Sequence, residues 1–341
     1  MMAKKIRLIF FGLGLAFFCY LVSDFGIKNI YLNIHKTGWW LGPVIATWGT
    51  SYFFNTLTWR AILGKEAGEV GFLKLYGINL SSFALNYVTP FINLGGEPYR
   101  AMSIQEVTGS HRAISSTILF RMVHTLGHFF FCLGAVIVAG ILGSFPGKTR
   151  LALLVIGLVL LLLIVFIFSA HKKGVLEVFL RVLSKITPLK FLASRLDKWE
   201  ISLLTIDHYI RELYTQRRRV FYRALSYEVC SRLVESLEFF FILNSVGYRI
   251  TVLDVFYISA GSSMIMNAFF FIPFEMGTRE GSLYLLMGTM SFPAGIGVYV
   301  GLVSRIREFF WIITGLGIVQ LSGRRVASAK SLVMPDLENH D

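Results

Sequence analysis

The sequence predicts an all-α polytopic membrane protein, with about six full spans plus two re-entrant helical hairpins in an inverted repeat. Three observations carry this reading. Hydrophobic residues make up 55% of the 341 and gather into long runs that no soluble domain of this size sustains. The basic excess, a net charge of +13, sits in loops beside those runs, which is the positive-inside pattern and not a nucleic-acid surface. A breaker built of proline, glycine, glutamate and arginine interrupts an apolar run twice, once in each half.

The first span, residues 8–22, follows Lys4, Lys5 and Arg7; no small-residue cleavage site follows Tyr20, so an uncleaved helix is expected. Residues 39–59 form the second, anchored at the interfaces by Trp39 and Trp59. A polar turn with Arg60, Lys65, Glu66 and Glu69 leads into 72–90, apolar enough to enter the bilayer. Beyond the first breaker, 115–141 carries Arg121, His124 and His128, and 151–168 is an uncharged apolar run. The connector 171–223 then holds twelve Lys and Arg against five Asp and Glu, with Val175, Leu176, Phe179, Val182, Leu183 and Ile186 at helical spacing. It reads as helices lying on the cytoplasmic face, basic side toward anionic lipid, with a solvated amphipathic linker as the alternative.

Residues 221–243 carry Glu228, Arg232, Glu235 and Glu238 at three- and four-residue intervals, so this span faces protein or water and not lipid. Residues 253–271 lead into the second breaker and 295–321 lead away from it. Arg324, Arg325 and Lys330 mark a polar tail, 322–341. Cys19, Cys132 and Cys230 all fall in apolar segments and read as packing residues.

Parity fixes the expected topology. If every apolar segment crossed fully from a cytoplasmic amino terminus, the basic connector would land outside. A hairpin over 72–107 that opens inward keeps it cytoplasmic. The same logic makes 253–291 a hairpin opening outward, with the carboxyl terminus cytoplasmic. One membrane domain, 1–321, then consists of oppositely oriented repeats, 1–141 and 150–321. At about 1.5 Å per residue, 72–90 nearly spans the hydrocarbon core, so it must tilt or start outside it.

The breakers are Asn86-x3-Pro90-x4-Gly95-Gly96-Glu97-x2-Arg100 and Pro273-Phe274-Glu275-Met276-Gly277-Thr278-Arg279-Glu280-Gly281. In each, a glutamate follows the proline by seven residues, Glu97 and Glu280, and an arginine lies farther on in the next span, Arg121 and Arg305. Interrupted segments at corresponding places in two halves point to a transporter-type central site. A helix amino terminus at midplane favours an anion, and Arg100, Arg121, Arg279 and Arg305 add forked donors that suit phosphate. Glu97, Glu275 and Glu280 would hold those arginines in the absence of ligand, or carry a proton. Structural ion pairs bracing the hairpins are the alternative.

His124 and His128, four apart on one face, read as packed or proton-carrying, since no carboxylate accompanies them at ligand spacing. Glu308, next to Arg307, faces a cavity or closes a local salt bridge. The candidate binding residues are therefore Asn86, Pro90, Gly95, Gly96, Glu97, Arg100, Arg121, His124, Pro273, Glu275, Gly277, Arg279, Glu280, Arg305 and Glu308. No catalytic residue, metal or cofactor is expected; no nucleotide-binding loop, zinc-protease helix motif or nucleophile elbow occurs.

On these two breakers and Arg121, the chain resembles the membrane region of bacterial lysylphosphatidylglycerol synthases, a flippase-like family, over roughly residues 6–321. It departs from the family pattern at Phe120 and His124, where acidic residues are frequent, and at Phe274-Glu275-Met276, where Gly-Gly-x is usual. Only a short polar tail follows Leu321, where the full-length synthases carry an aminoacyl-transfer domain. The resemblance implies movement of an anionic or phosphate-bearing lipid between leaflets of a bacterial inner membrane, not its aminoacylation. An accessory subunit that binds lipid beside a glycosyltransferase or synthase, and a membrane-embedded headgroup enzyme, are the alternatives. The partners expected are membrane lipid, a membrane enzyme or a second copy of the chain, with no nucleic acid.

Overall fold

The computed structural model describes residues 19–20, 22–23, 26–88, 95–142, 147–173, 208–209, 211–270, 272–290 and 292–333. The elements within them are helical: α1 (Ile27–Thr37), α2 (Leu41–Leu63), α3 (Glu66–Val70), α4 (Phe72–Val88), α5 (Gly96–Met102), α6 (Gln105–Thr108), α7 (Ser110–Leu142), α8 (Gly147–Lys173), α9 (Arg218–Ser245), α10 (Val252–Ala268), α11 (Thr278–Thr289) and α12 (Gly295–Val333). Short 3-10 turns, Gly38–Trp40 and Pro273–Glu275, precede α2 and α11. Ser110–Leu142 and, within α8, Arg150–Ser169 are long and apolar enough to cross a membrane. Most of the expected first span and of the basic connector lies outside the described residues. At the far end, α12 continues to Val333, past residue 321 where the polar tail was expected to begin.

Polar residues line seams between helices inside a largely apolar core. Buried positions of α2 include Ser51, Asn55, Thr56 and Thr58, and those of α9 include Glu228, Ser231 and Ser236. Leu151, Leu154, Leu158, Leu162 and Phe166 of α8 recur at helical spacing and stay exposed. Small polar residues let helix backbones approach and supply interhelical hydrogen bonds, while the apolar exterior suits hydrocarbon. The antiparallel α2–α9 seam illustrates this. Asn55 Nδ2 donates to Ser231 Oγ at 2.8 Å, Thr58 Oγ1 to the Ala224 carbonyl at 3.2 Å, and Trp48 Nε1 to Glu238 Oε2 at 2.8 Å.

At both breakers the chain doubles back. The Gly96 N–H donates to Asn86 Oδ1 at 2.7 Å, and Gly96 sits so close to Ser82 of α4 that a Cβ would fall on that residue's carbonyl. In the second half, Gly261 of α10 faces the Leu286 side chain of α11, and Tyr257 and Thr289 hydroxyls lie 3.4 Å apart. α4 then packs on α12, and α10 packs on α7.

The two ends of the α2–α9 pair are closed differently. At the carboxyl end of α2, Arg112 donates to the Leu63 carbonyl at 3.2 Å and Arg217 to the Ile62 carbonyl at 3.3 Å. Cations there satisfy orphan carbonyls and complement the helix dipole. At the opposite end, the Tyr299 hydroxyl donates to the Asn33 carbonyl at 3.0 Å and contacts the Thr37 hydroxyl.

Close backbone contact makes a sharp packing prediction. A Cβ at Gly297 of α12 would collide with the backbone of Leu283 and Tyr284 in α11, whereas one at Gly140 of α7 meets nothing within 4 Å. Gly297→Ala should destabilise by about 1–3 kcal/mol, the usual effect of overpacking. Gly140→Ala should not, and thermal unfolding of both variants in detergent checks the contrast.

Candidate functional site

The breakers and the charged span converge on a cavity of ≈ 810 Å³. Its polar lining comes from Trp48 of α2, Asn86 and Tyr87 of α4, Arg121, His124 and His128 of α7, and Arg232, Glu235 and Glu238 of α9. Asn267 of α10, Glu275 of the 3-10 turn, Arg279 of α11, and Arg307 and Glu308 of α12 complete it, with α8 supplying an apolar wall through Val155, Val159 and Leu163. A smaller, largely apolar groove of ≈ 450 Å³ lies between Ile118, Met122 and Ile167, and Arg121 borders both spaces.

Around the second breaker Arg279, Arg305 and Arg307 are all held. Glu280, fully buried, accepts Arg305 Nε at 2.6 Å and Nη2 at 3.1 Å, and also the Gly277 N–H at 3.1 Å. Arg305 reaches back to the Phe274 carbonyl at 3.2 Å and the Glu275 carbonyl at 3.3 Å. Those two residues have φ of 57° and 51°. The left-handed region costs a residue with a Cβ about 1–2 kcal/mol. Here stand the residues that depart from the family's glycines, and Arg305 clamps the turn they form. Gly277, with φ of 76°, then starts α11.

Arg279 donates to Glu308 at 2.8 and 3.0 Å and to Glu275 at 2.5 Å. Arg307 donates to Glu238 at 3.0 and 3.3 Å, and its guanidinium lies 3.7 Å over the Trp48 ring. Arg305, Arg307 and Glu308 thus do not form a local salt bridge: Arg305 and Glu308 pair with α11, and Arg307 pairs with α9. Adjacent residues on a helix point in different directions, so partners come from neighbouring helices.

The first half is looser. Arg121 meets Glu97 at 3.4 Å, but its side chain stays 50% exposed. Asn86 Nδ2 touches the same carboxylate at 3.4 Å. Arg100 is buried without a carboxylate pair among the described residues: it donates to Asn79 Oδ1 at 2.7 Å and lies 4.2 Å over the Phe120 ring and 5.3 Å from that of Trp59. Aromatic faces carry part of the compensation there. That gives Phe120, another departure from the family pattern, a physical role. His124 lies 2.8 Å from Glu228 and 2.7 Å from Arg232, and His128 lies 3.1 Å from Asn267. Among the described residues, no group of three His, Cys, Asp or Glu is placed to hold a metal.

Of the residues expected at the site, Asn86, Arg121, His124, Glu275, Arg279 and Glu308 border the large cavity, and Glu97 borders the groove. Gly95, Gly96, Arg100, Gly277, Glu280 and Arg305 stand behind, shaping the hairpins; Pro273 opens the 3-10 turn, and Pro90 lies outside the described residues. The cavity also takes Trp48, Tyr87, Arg232, Glu235, Glu238 and Arg307, which were not among the candidates. The charge run along 228–238 signalled a protein- or water-facing helix, but nothing local named its partners.

The family model of the lysylphosphatidylglycerol synthase TM region matches residues 6–317. No curated protein and no solved structure matches the chain.

The ion pairs separate into struts and an accessible group. Glu308→Gln leaves the buried Arg279 short of its main partner and should cost about 3–5 kcal/mol. Arg121→Gln removes a long, half-exposed contact and should cost no more than about 1 kcal/mol. Thermal stability of the two purified variants measures the difference.

Proposed function

The chain belongs to the lysylphosphatidylglycerol synthase TM region family, and from that premise we propose that it moves an anionic or phosphate-bearing lipid between membrane leaflets. The observation that carries this reading is Arg121: half-exposed, loosely held, and standing where the charged cavity meets the apolar groove. A lipid has the same two-part character. Its phosphate suits the guanidinium and its chains suit the groove between α7 and α8. The tightly paired groups of the second half would hold the path open, and Arg121 would be the group that exchanges its carboxylate for ligand.

The inverted repeat belongs to the same proposal. Support comes from matching seams: on exchanging α2 with α9, α4 with α10, α5 with α11 and α7 with α12, α4 on α12 corresponds to α10 on α7, and α5 on α7 to α11 on α12. Opposed repeats around a midplane site are the usual basis of alternating access. The hairpins would be re-entrant, and both termini would face the cytoplasm of a bacterial inner membrane.

Two experiments test this reading. In liposomes containing labelled phosphatidylglycerol, the purified chain should speed leaflet exchange, and Arg121→Gln should reduce it at least tenfold without loss of folded protein. Arg305→Gln should instead lose folded protein along with exchange. A chemically altered lipid would indicate a headgroup enzyme, and an unaltered lipid with no exchange an accessory subunit. For topology, single cysteines near residues 109 and 188 should label only from the cytoplasmic side, and those near 143 and 247 only from outside; external labelling at 188 overturns the hairpin assignment. Residues 143 and 188 lie outside the described residues.

A further inference from the structure

One cluster beside the cavity closes on itself. Arg232 Nη1 donates to Glu235 Oε2 at 2.9 Å, and Glu235 Oε1 accepts the Ser51 hydroxyl at 2.5 Å. Ser51 and Ser231 hydroxyls lie 2.7 Å apart, and Asn55 Nδ2 donates to Ser231 at 2.8 Å and to Glu228 Oε2 at 3.1 Å. Glu228 Oε2 is 2.8 Å from His124 Nδ1, and His124 Nε2 is 2.7 Å from Arg232 Nη2, where the ring began.

The chemistry of this ring fixes a proton count. A guanidinium has no lone pair to offer, so the Arg232–His124 contact requires Nε2 to accept. The imidazole is then neutral, with its proton on Nδ1, donated to Glu228. Two carboxylates face one guanidinium, and the ring is one positive charge short of neutral. Glu228 is fully buried, and among the described residues neither its Oε1 nor Arg232 Nε has a hydrogen-bond partner. His124 and Arg232 both border the cavity.

We propose that the ring is a proton-binding site, and that loading it couples to anion binding in the cavity; this rests on reading that cavity as a headgroup path. A proton from cavity water adds to Nε2. The new N–H no longer accepts from Arg232, so that bond breaks, while the imidazolium keeps its bond to Glu228 and the ring becomes neutral. Arg232 stays tied to Glu235 through Nη1. Its Nη2 and Nε turn toward the cavity as a donor fork for a phosphate. An anion held on that fork keeps Arg232 off Nε2 and favours the protonated imidazole, so the coupling runs both ways.

The charged groups that face the imidazole are of both signs. They are Glu228 and Arg232 of α9 and Arg121 of its own helix. Glu235 stands behind Arg232, Arg100 of α5 acts on Glu228, and α2 contributes neutral Ser51 and Asn55. His128, one turn along α7, is engaged by Asn267 of α10.

The test uses glycerophosphoglycerol, a soluble phosphodiester whose charge is constant across about pH 5 to 8, the range in which histidine titrates. It is titrated calorimetrically into the purified chain at several pH values. Affinity should strengthen as pH falls, by up to about tenfold per unit, the limit for one proton taken up per anion. His124→Gln should flatten that profile. Should that variant fail to fold, ¹⁵N NMR of the parent's imidazoles replaces it, and added phosphodiester should raise the midpoint of His124 protonation. A flat profile in the parent, an unchanged slope in His124→Gln, an unmoved midpoint, or no binding at any pH overturns the proposal. Because leaflet exchange is not the readout, failure of lipid movement and failure of the proton link are separate results.

Discussion

Charge compensation is the constraint on which this structure depends. An arginine or carboxylate at the centre of a hydrocarbon layer costs about 2.5–3.5 kcal/mol even on insertion scales, so each must find a partner inside the protein. The partners found here are mostly on other helices. Glu238 of α9 takes Arg307 of α12, Glu308 of α12 takes Arg279 of α11, and Glu280 of α11 takes Arg305 of α12. Compensation therefore doubles as cross-linking. A bundle whose exterior is as apolar as its solvent gains little from apolar burial, and polar links of this kind, with close packing, hold it together instead.

The two halves use that constraint to opposite ends. Around the second breaker the site is closed: Arg279, Arg305 and Arg307 are buried and each carries two or more bonds to carboxylates or carbonyls. The first half leaves Arg121 half-exposed on one long contact and surrounds Arg100 with aromatic rings. Equivalent places in the sequence thus became a closed tip and an accessible one.

Much of the frame was legible in the sequence. Apolar runs located α2, α7, α8, α9, α10 and α12, and the spacing from proline to glutamate to arginine marked Glu97 and Arg121, Glu280 and Arg305 as corresponding positions, which the structure joins as Glu97–Arg121 and Glu280–Arg305 pairs. The rest depends on tertiary neighbours. Arg307 stands beside Glu308 in the sequence, yet the two point in different directions from α12 and pair with α9 and α11. The partner of His124 is Glu228, a hundred and four residues away, and no local pattern joins them. Helix ends were also hidden: the apolar signal of α12 fades at residue 321 although the helix continues to Val333.

The turn at Phe274 and Glu275 carries a consequence for how this sequence can change. Glycine would hold a left-handed backbone there unaided, whereas these two residues hold it through carbonyls that Arg305 grips. The three positions therefore form one epistatic unit. Losing Arg305 from this chain leaves the turn without its clamp, whereas glycine placed first at 274 and 275 removes the need for it, so the order of substitutions matters as much as their identity.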